Sequence, residues 1–85
     1  MTMTNKILIT VVVPTIEENY DIYIPVSKSI VTTKKLLIKT INELSGGHFP
    51  EKENCTLMSS SGVVYSGSST IKECGIKNGD RIILI

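Results

Sequence analysis

The chain has 85 residues, enough for one domain and too few for two independent cores. With 41% hydrophobic and 20% charged residues it has the composition of a globular domain and not of a disordered tail. A net charge of +1 lacks the basic excess of general nucleic-acid binders.

Thirteen residues are Ile while Ala, Gln and Trp are absent, a bias toward sheet, since Cβ branching packs well on a pleated surface and costs χ1 freedom in a helix. The longest apolar runs, at residues 11–13 and 82–85, fall far short of the roughly 20 residues that span a bilayer. Met1-Thr2-Met3-Thr4-Asn5-Lys6 has neither the basic lead-in nor the cleavage site of a signal peptide, so a cytosolic chain is expected. Cys55 and Cys74 are too few and too distant for a disulfide framework or zinc knuckle and are expected to be reduced thiols.

Residues 6–13 read as a first strand stopped by Pro14, and residues 15–19 as a polar turn. Residues 20–26 read as a second strand, with Ile22, Ile24 and Val26 at period two and Pro25 fit only for an end or an edge. The two make an antiparallel hairpin. Ser27-Lys28-Ser29 then supplies a helix cap, and Ile30, Leu37, Ile41 and Leu44 share one stripe flanked by Ile38. This predicts a helix over residues 30–44, with Lys34 laying its stem along the stripe, Leu36 exposed, and Ser45-Gly46-Gly47 as the stop.

Residues 48–54 read as a polar loop, 55–58 as a third strand, 59–62 as a turn and 63–65 as a fourth strand. Thr70 followed by Glu73 is a capping box that closes one turn over residues 70–76. Asn78-Gly79 is a turn, and residues 81–85 are the last strand. The order ββαββ, followed by a 3₁₀-like turn and the final strand, is that of an α+β β-grasp domain filling residues 1–85. A right-handed crossover lays the helix on one sheet face and sets strands one and five parallel at the centre.

No catalytic, cofactor or metal site is expected. Cys74, followed by Gly75-Ile76 in a buried-looking turn, and Cys55, which opens a strand, read as packed thiols and not as nucleophiles, and His48 has no second ligand to complete a metal site. The pairs Glu17–Glu18 and Glu51/Glu53 lie in solvated loops, Asn78-Gly79-Asp80 is a turn and not a calcium loop, and neither phosphate-loop pattern occurs. The four aromatics are not interleaved with the helix lysines, which argues against a nucleic-acid stacking platform.

Residues 65–85, Tyr-Ser-Gly-Ser-Ser-Thr-Ile-Lys-Glu-Cys-Gly-Ile-Lys-Asn-Gly-Asp-Arg-Ile-Ile-Leu-Ile, resemble the end of a ubiquitin-like domain. The variant from Cys74 to Arg81 is similar to the YukD/EsaB family, small bacterial ubiquitin-like proteins of type VII (ESX/WXG) secretion systems. Before Cys55 the resemblance is in element order alone, and the long Ser/Thr-rich turns and the apolar Ile83 depart from the family pattern. The resemblance implies a non-enzymatic, cytosolic accessory component that works with the membrane ATPase and its associated components. Ubiquitin and the sulfur carriers of its fold react through a terminal Gly-Gly. None follows Ile85, so a protein that is not conjugated is expected. The alternative is such a carrier with its tail missing.

If the alternate residues of strand one face the helix, Leu8 and Val12 face away and join Ile83 and Ile85 in an apolar patch on the open sheet face. This patch is the expected docking surface for a protein partner or a second copy, aided by Leu36, Lys35 and Lys39.

Overall fold

The computed structural model describes residues 5–51 and 54–85. Met1–Thr4, on which the signal-peptide reading partly rests, and Glu53 of the Glu51/Glu53 pair lie outside the described residues. Strand β1 (Lys6–Val13) turns through a 3₁₀ helix (Pro14–Ile16) into β2 (Glu18–Pro25), then follow α1 (Ile30–Leu44), β3 (Leu57–Ser59), β4 (Val64–Tyr65) and β5 (Arg81–Leu84). The sheet order is β2-β1-β5-β3-β4, with β1 and β5 parallel and the other pairs antiparallel. This is the β-grasp arrangement expected from the sequence, with the two most apolar strands at the centre.

The hairpin turn differs from the expected polar turn. Pro14 presets the φ of a 3₁₀ turn, and Glu17 closes it in the left-handed region at φ 55°. Helix α1 has the predicted bounds. Ser29 caps its start by accepting the Thr32 N–H at 3.2 Å. Its end is a Schellman motif: Gly47 N–H donates to the Asn42 carbonyl at 2.8 Å and Gly46 N–H to that of Glu43 at 3.2 Å. Gly46 there takes φ +65°, which a side chain would strain.

The stripe of α1 buries Ile30, Leu37, Ile38 and Ile41 against Ile9, Val11, Val13, Ile24, Leu57, Ile82 and Leu84 of the sheet. Two positions depart from expectation. Leu44 is 58% exposed, at the rim of an open cleft between the end of α1 and the β1–β2 hairpin. Phe49, expected within a polar loop, is fully buried. Its backbone is tied to the helix end, its N–H donating to Ser45 Oγ at 3.0 Å and its carbonyl accepting from Asn42 Nδ2 at 2.9 Å. The loop therefore folds back and plugs the core.

The capping box of residues 70–76 forms in both arms. Glu73 Oε1 accepts the Thr70 N–H at 2.8 Å, and Thr70 Oγ1 accepts the Glu73 N–H at 3.1 Å. A 3₁₀-type bond from Gly75 N–H to the Lys72 carbonyl tightens the turn, whose Ile71 is fully buried.

Candidate functional site

Strand alternation and register fix what the open face of the sheet displays. Opposite the helix lie Leu8, Thr10 and Val12 of β1, Arg81 and Ile83 of β5, Met58 of β3, Val64 of β4, and Asn19, Asp21 and Tyr23 of β2. Val12 stands beside Ile83, Ile83 beside Met58, and Met58 beside Val64. One apolar row thus crosses four strands, roughly 15 Å at about 4.8 Å per strand. Val12, Ile83 and Met58 are half-buried, and Val64 is 57% exposed. Ile85, 38% exposed, extends the row along β5, held by its exchange of backbone bonds with Thr56.

All four residues expected in the patch lie on this face, yet they are not contiguous. Thr10 pairs with Asp21 on one side and Arg81 on the other, and this polar row separates Leu8 from Val12. Thr10 Oγ1 donates to Asp21 Oδ1 at 2.8 Å across it. Leu8 instead neighbours Tyr23, and its N–H donates to Asn78 Oδ1 at 2.8 Å. Met58 and Val64 are members that the sequence reading missed; their membership depends on how β3 and β4 pair, which no local pattern encodes.

Lys35, Leu36 and Lys39 are exposed on α1, which covers the other face of the sheet. They lie across the molecule from the apolar row, on the far side of the helix, and do not share its surface.

One cleft of about 590 Å³ opens where Leu44, Ser45 and His48 at the end of α1 meet Ile16, Glu18 and Tyr20 of the hairpin. Ser45 and His48 do not form a nucleophile–base pair there. Ser45 Oγ donates to the Asn42 carbonyl at 3.2 Å, and His48 Nδ1 meets the Ser45 carbonyl, not its hydroxyl, at 2.7 Å. That carbonyl only accepts, so Nδ1 carries the proton. The side chains of the Asn78-Gly79-Asp80 turn are likewise spent on backbone amides, Asp80 Oδ2 accepting the Lys77 N–H at 2.9 Å and Asn78 Oδ1 that of Leu8. Cys55 is buried and Cys74 half-buried. Among the described residues no group of three or more His, Cys, Asp or Glu could hold a metal, and no helix is long and apolar enough to cross a membrane.

No protein-family model matches the sequence, and no curated protein matches it significantly. Solved structures do match in shape. The ubiquitin-like domain of EccD5 from Mycobacterium xenopi superposes with a TM-score of 0.79 at 15% identity, over 96% of this chain and 94% of that one. The ubiquitin-like domain of an Arabidopsis thaliana protein gives 0.70 at 19% identity, over 100% and 81%. The fold is ubiquitin-like. A chain of an ESX-5 inner membrane complex matches with a TM-score of 0.80 at 14% identity over 96% of this chain, which spans only 21% of that chain's length.

Proposed function

We propose that this chain is a non-enzymatic, cytosolic ubiquitin-like interaction module of a type VII secretion system, of the YukD/EsaB kind. It docks on a membrane component of that machinery through the open face of its sheet. The observation that carries the reading is the apolar row Val12–Ile83–Met58–Val64, with Ile85 beside it, on the sheet face opposite α1, where Val64 and Ile85 are exposed and the other three are partly so. Apolar side chains aligned across a sheet and left half in water mark an interaction surface. The type VII assignment is supported by the resemblance of residues 65–85 to YukD/EsaB. It is supported also by the shape shared with EccD5 and with a chain of an ESX-5 inner membrane complex.

The test is co-purification with the secretion ATPase and its membrane components from the source cell, comparing wild type with Ile83→Asp and Val64→Asp. A charge at the centre of a desolvated contact costs 2 kcal/mol or more, roughly 30-fold in affinity. Loss of the secretion components from both variants, each keeping the wild-type melting curve, is the expected result. Undiminished co-purification overturns the docking surface. Intact mass of the native protein separates the runner-up reading, since covalent conjugates or an activated C-terminal tail would mean carrier chemistry.

A further inference from the structure

The second surface that stands out is an edge, not a face. Val26 N–H donates to the Asn5 carbonyl at 2.7 Å, which makes Asn5–Val26 a hydrogen-bonded pair of the β1–β2 ladder. Alternation along the register then turns the backbone groups of Glu18, Tyr20, Ile22 and Ile24 toward β1. Those of Asn19, Asp21 and Tyr23 point away from the sheet, together with the carbonyl of Pro25, whose missing N–H sits on the same outer side. Among the described residues nothing pairs with this outer row. At eight residues β2 is a long edge, whereas the opposite edge, β4, has two.

We propose that this edge pairs antiparallel with β2 of a second copy, its two-fold axis passing between the two Ile22 residues, to form one continuous ten-stranded sheet. Self-complementarity selects that register. With Ile22 on the axis, Asp21 and Tyr23 of the second copy exchange both backbone bonds, and so does the symmetric pair. Each Asn19 N–H meets a Pro25 carbonyl, which needs no bond in return. Glu18 falls opposite Val26, with the exposed Lys28 two positions beyond it, so the acidic end of each strand approaches a lysine of the other.

The neighbouring registers are worse. Centring on Asp21 sets two carboxylates directly opposite each other, which destabilises a cross-strand pair. Centring on Tyr23 places Pro25 opposite Asp21 and forfeits the return bonds. The two features that commonly protect a sheet edge, a charge and a proline, here choose one alignment out of three. This surface is independent of the docking row proposed above.

Sedimentation equilibrium of the full chain over micromolar to millimolar concentration tests the pairing. A species of twice the chain mass is expected for wild type. Tyr23→Pro deletes an outward donor but no bond to β1, so it returns the protein to monomer with its thermal melt retained. Val64→Asp, on the docking row, keeps the dimer. Under mild oxidation Ile22→Cys cross-links to itself, since directly opposed residues of a non-hydrogen-bonded pair lie about 4.5 Å apart at Cα, within disulfide range. A monomer throughout that range with no Ile22→Cys cross-link, a dimer indifferent to Tyr23→Pro, or self-cross-linking by Asp21→Cys in place of Ile22→Cys overturns the proposal. So does an edge found occupied by an extended peptide of another protein.

Discussion

Thr33 lies on the buried stripe of α1 at 1% exposure, and its Oγ1 has no hydrogen-bond partner among the described residues. A buried polar atom left unsatisfied costs about 1–3 kcal/mol, so Thr33→Val, which replaces the hydroxyl by a methyl, should stabilise the domain by about 1 kcal/mol. In a chain of this size that is a rise of roughly 4–8 °C in Tm by differential scanning calorimetry. A fall in Tm would mean that the hydroxyl bonds back along the helix in solution. Phe49 carries the opposite lesson. It has no place in any periodic pattern, because it belongs to a loop, and periodicity was the signal that found the rest of the core. Its being the only Phe in the chain, set among polar residues and followed by Pro50, was the available hint. Phe49→Ala should cost about 3–5 kcal/mol. That approaches the whole stability of a small domain, and urea denaturation would show a midpoint near zero denaturant.

Among the elements, those with two agreeing signals were legible. Helix α1 has both its apolar stripe and its end chemistry, Ser29 before it and Gly46-Gly47 after it, and its bounds follow. Strand β1 has β-branched composition and Pro14 as a stop. The 3₁₀ helix was hidden because Pro14 fits several turn types, and which one forms depends on how β1 and β2 twist together. Strands β3 and β4 shifted by one or two residues, since with three and two residues their extent is set by pairing with β5 and not by their own pattern. The capped turn before β5 was read from Thr70 and Glu73 alone, and its role goes beyond closing itself. Ile71 N–H donates to the Lys28 carbonyl at 3.0 Å, Lys72 N–H to that of Val26 at 3.1 Å, and Ile30 N–H to that of Ser69 at 2.8 Å, so the turn holds the start of α1. Thr70→Ala removes one arm of the box and should cost about 1 kcal/mol. Amide exchange at Glu73 should speed about fivefold, and an unchanged rate would show that the backbone stitching alone secures the turn.

At the scale of the molecule, the sequence could say which residues face away from the helix but not which of them touch. Alternation puts Leu8, Val12, Ile83 and Ile85 on one face. Register is what joins Val12 to Ile83, brings in Met58 and Val64, and cuts Leu8 off behind Thr10 and Arg81. The same global geometry parts the helix residues from the sheet residues. Lys35, Leu36 and Lys39 ride on the outer side of α1, with the helix and the sheet between them and the apolar row. A partner seated on that row reaches them only by wrapping around the domain. Reversing both lysines, Lys35→Glu with Lys39→Glu, changes the charge of the far side by four units, and across the full thickness of the molecule most of that field is screened at physiological salt. Binding through the open face should therefore change less than twofold in the double reversal, while Ile83→Asp lowers it about 30-fold. Isothermal titration calorimetry of the two variants against the same secretion component decides between the surfaces. Equal losses from both would show a partner that grips the domain from two sides, and a loss from the lysine reversal alone would move the docking surface to α1.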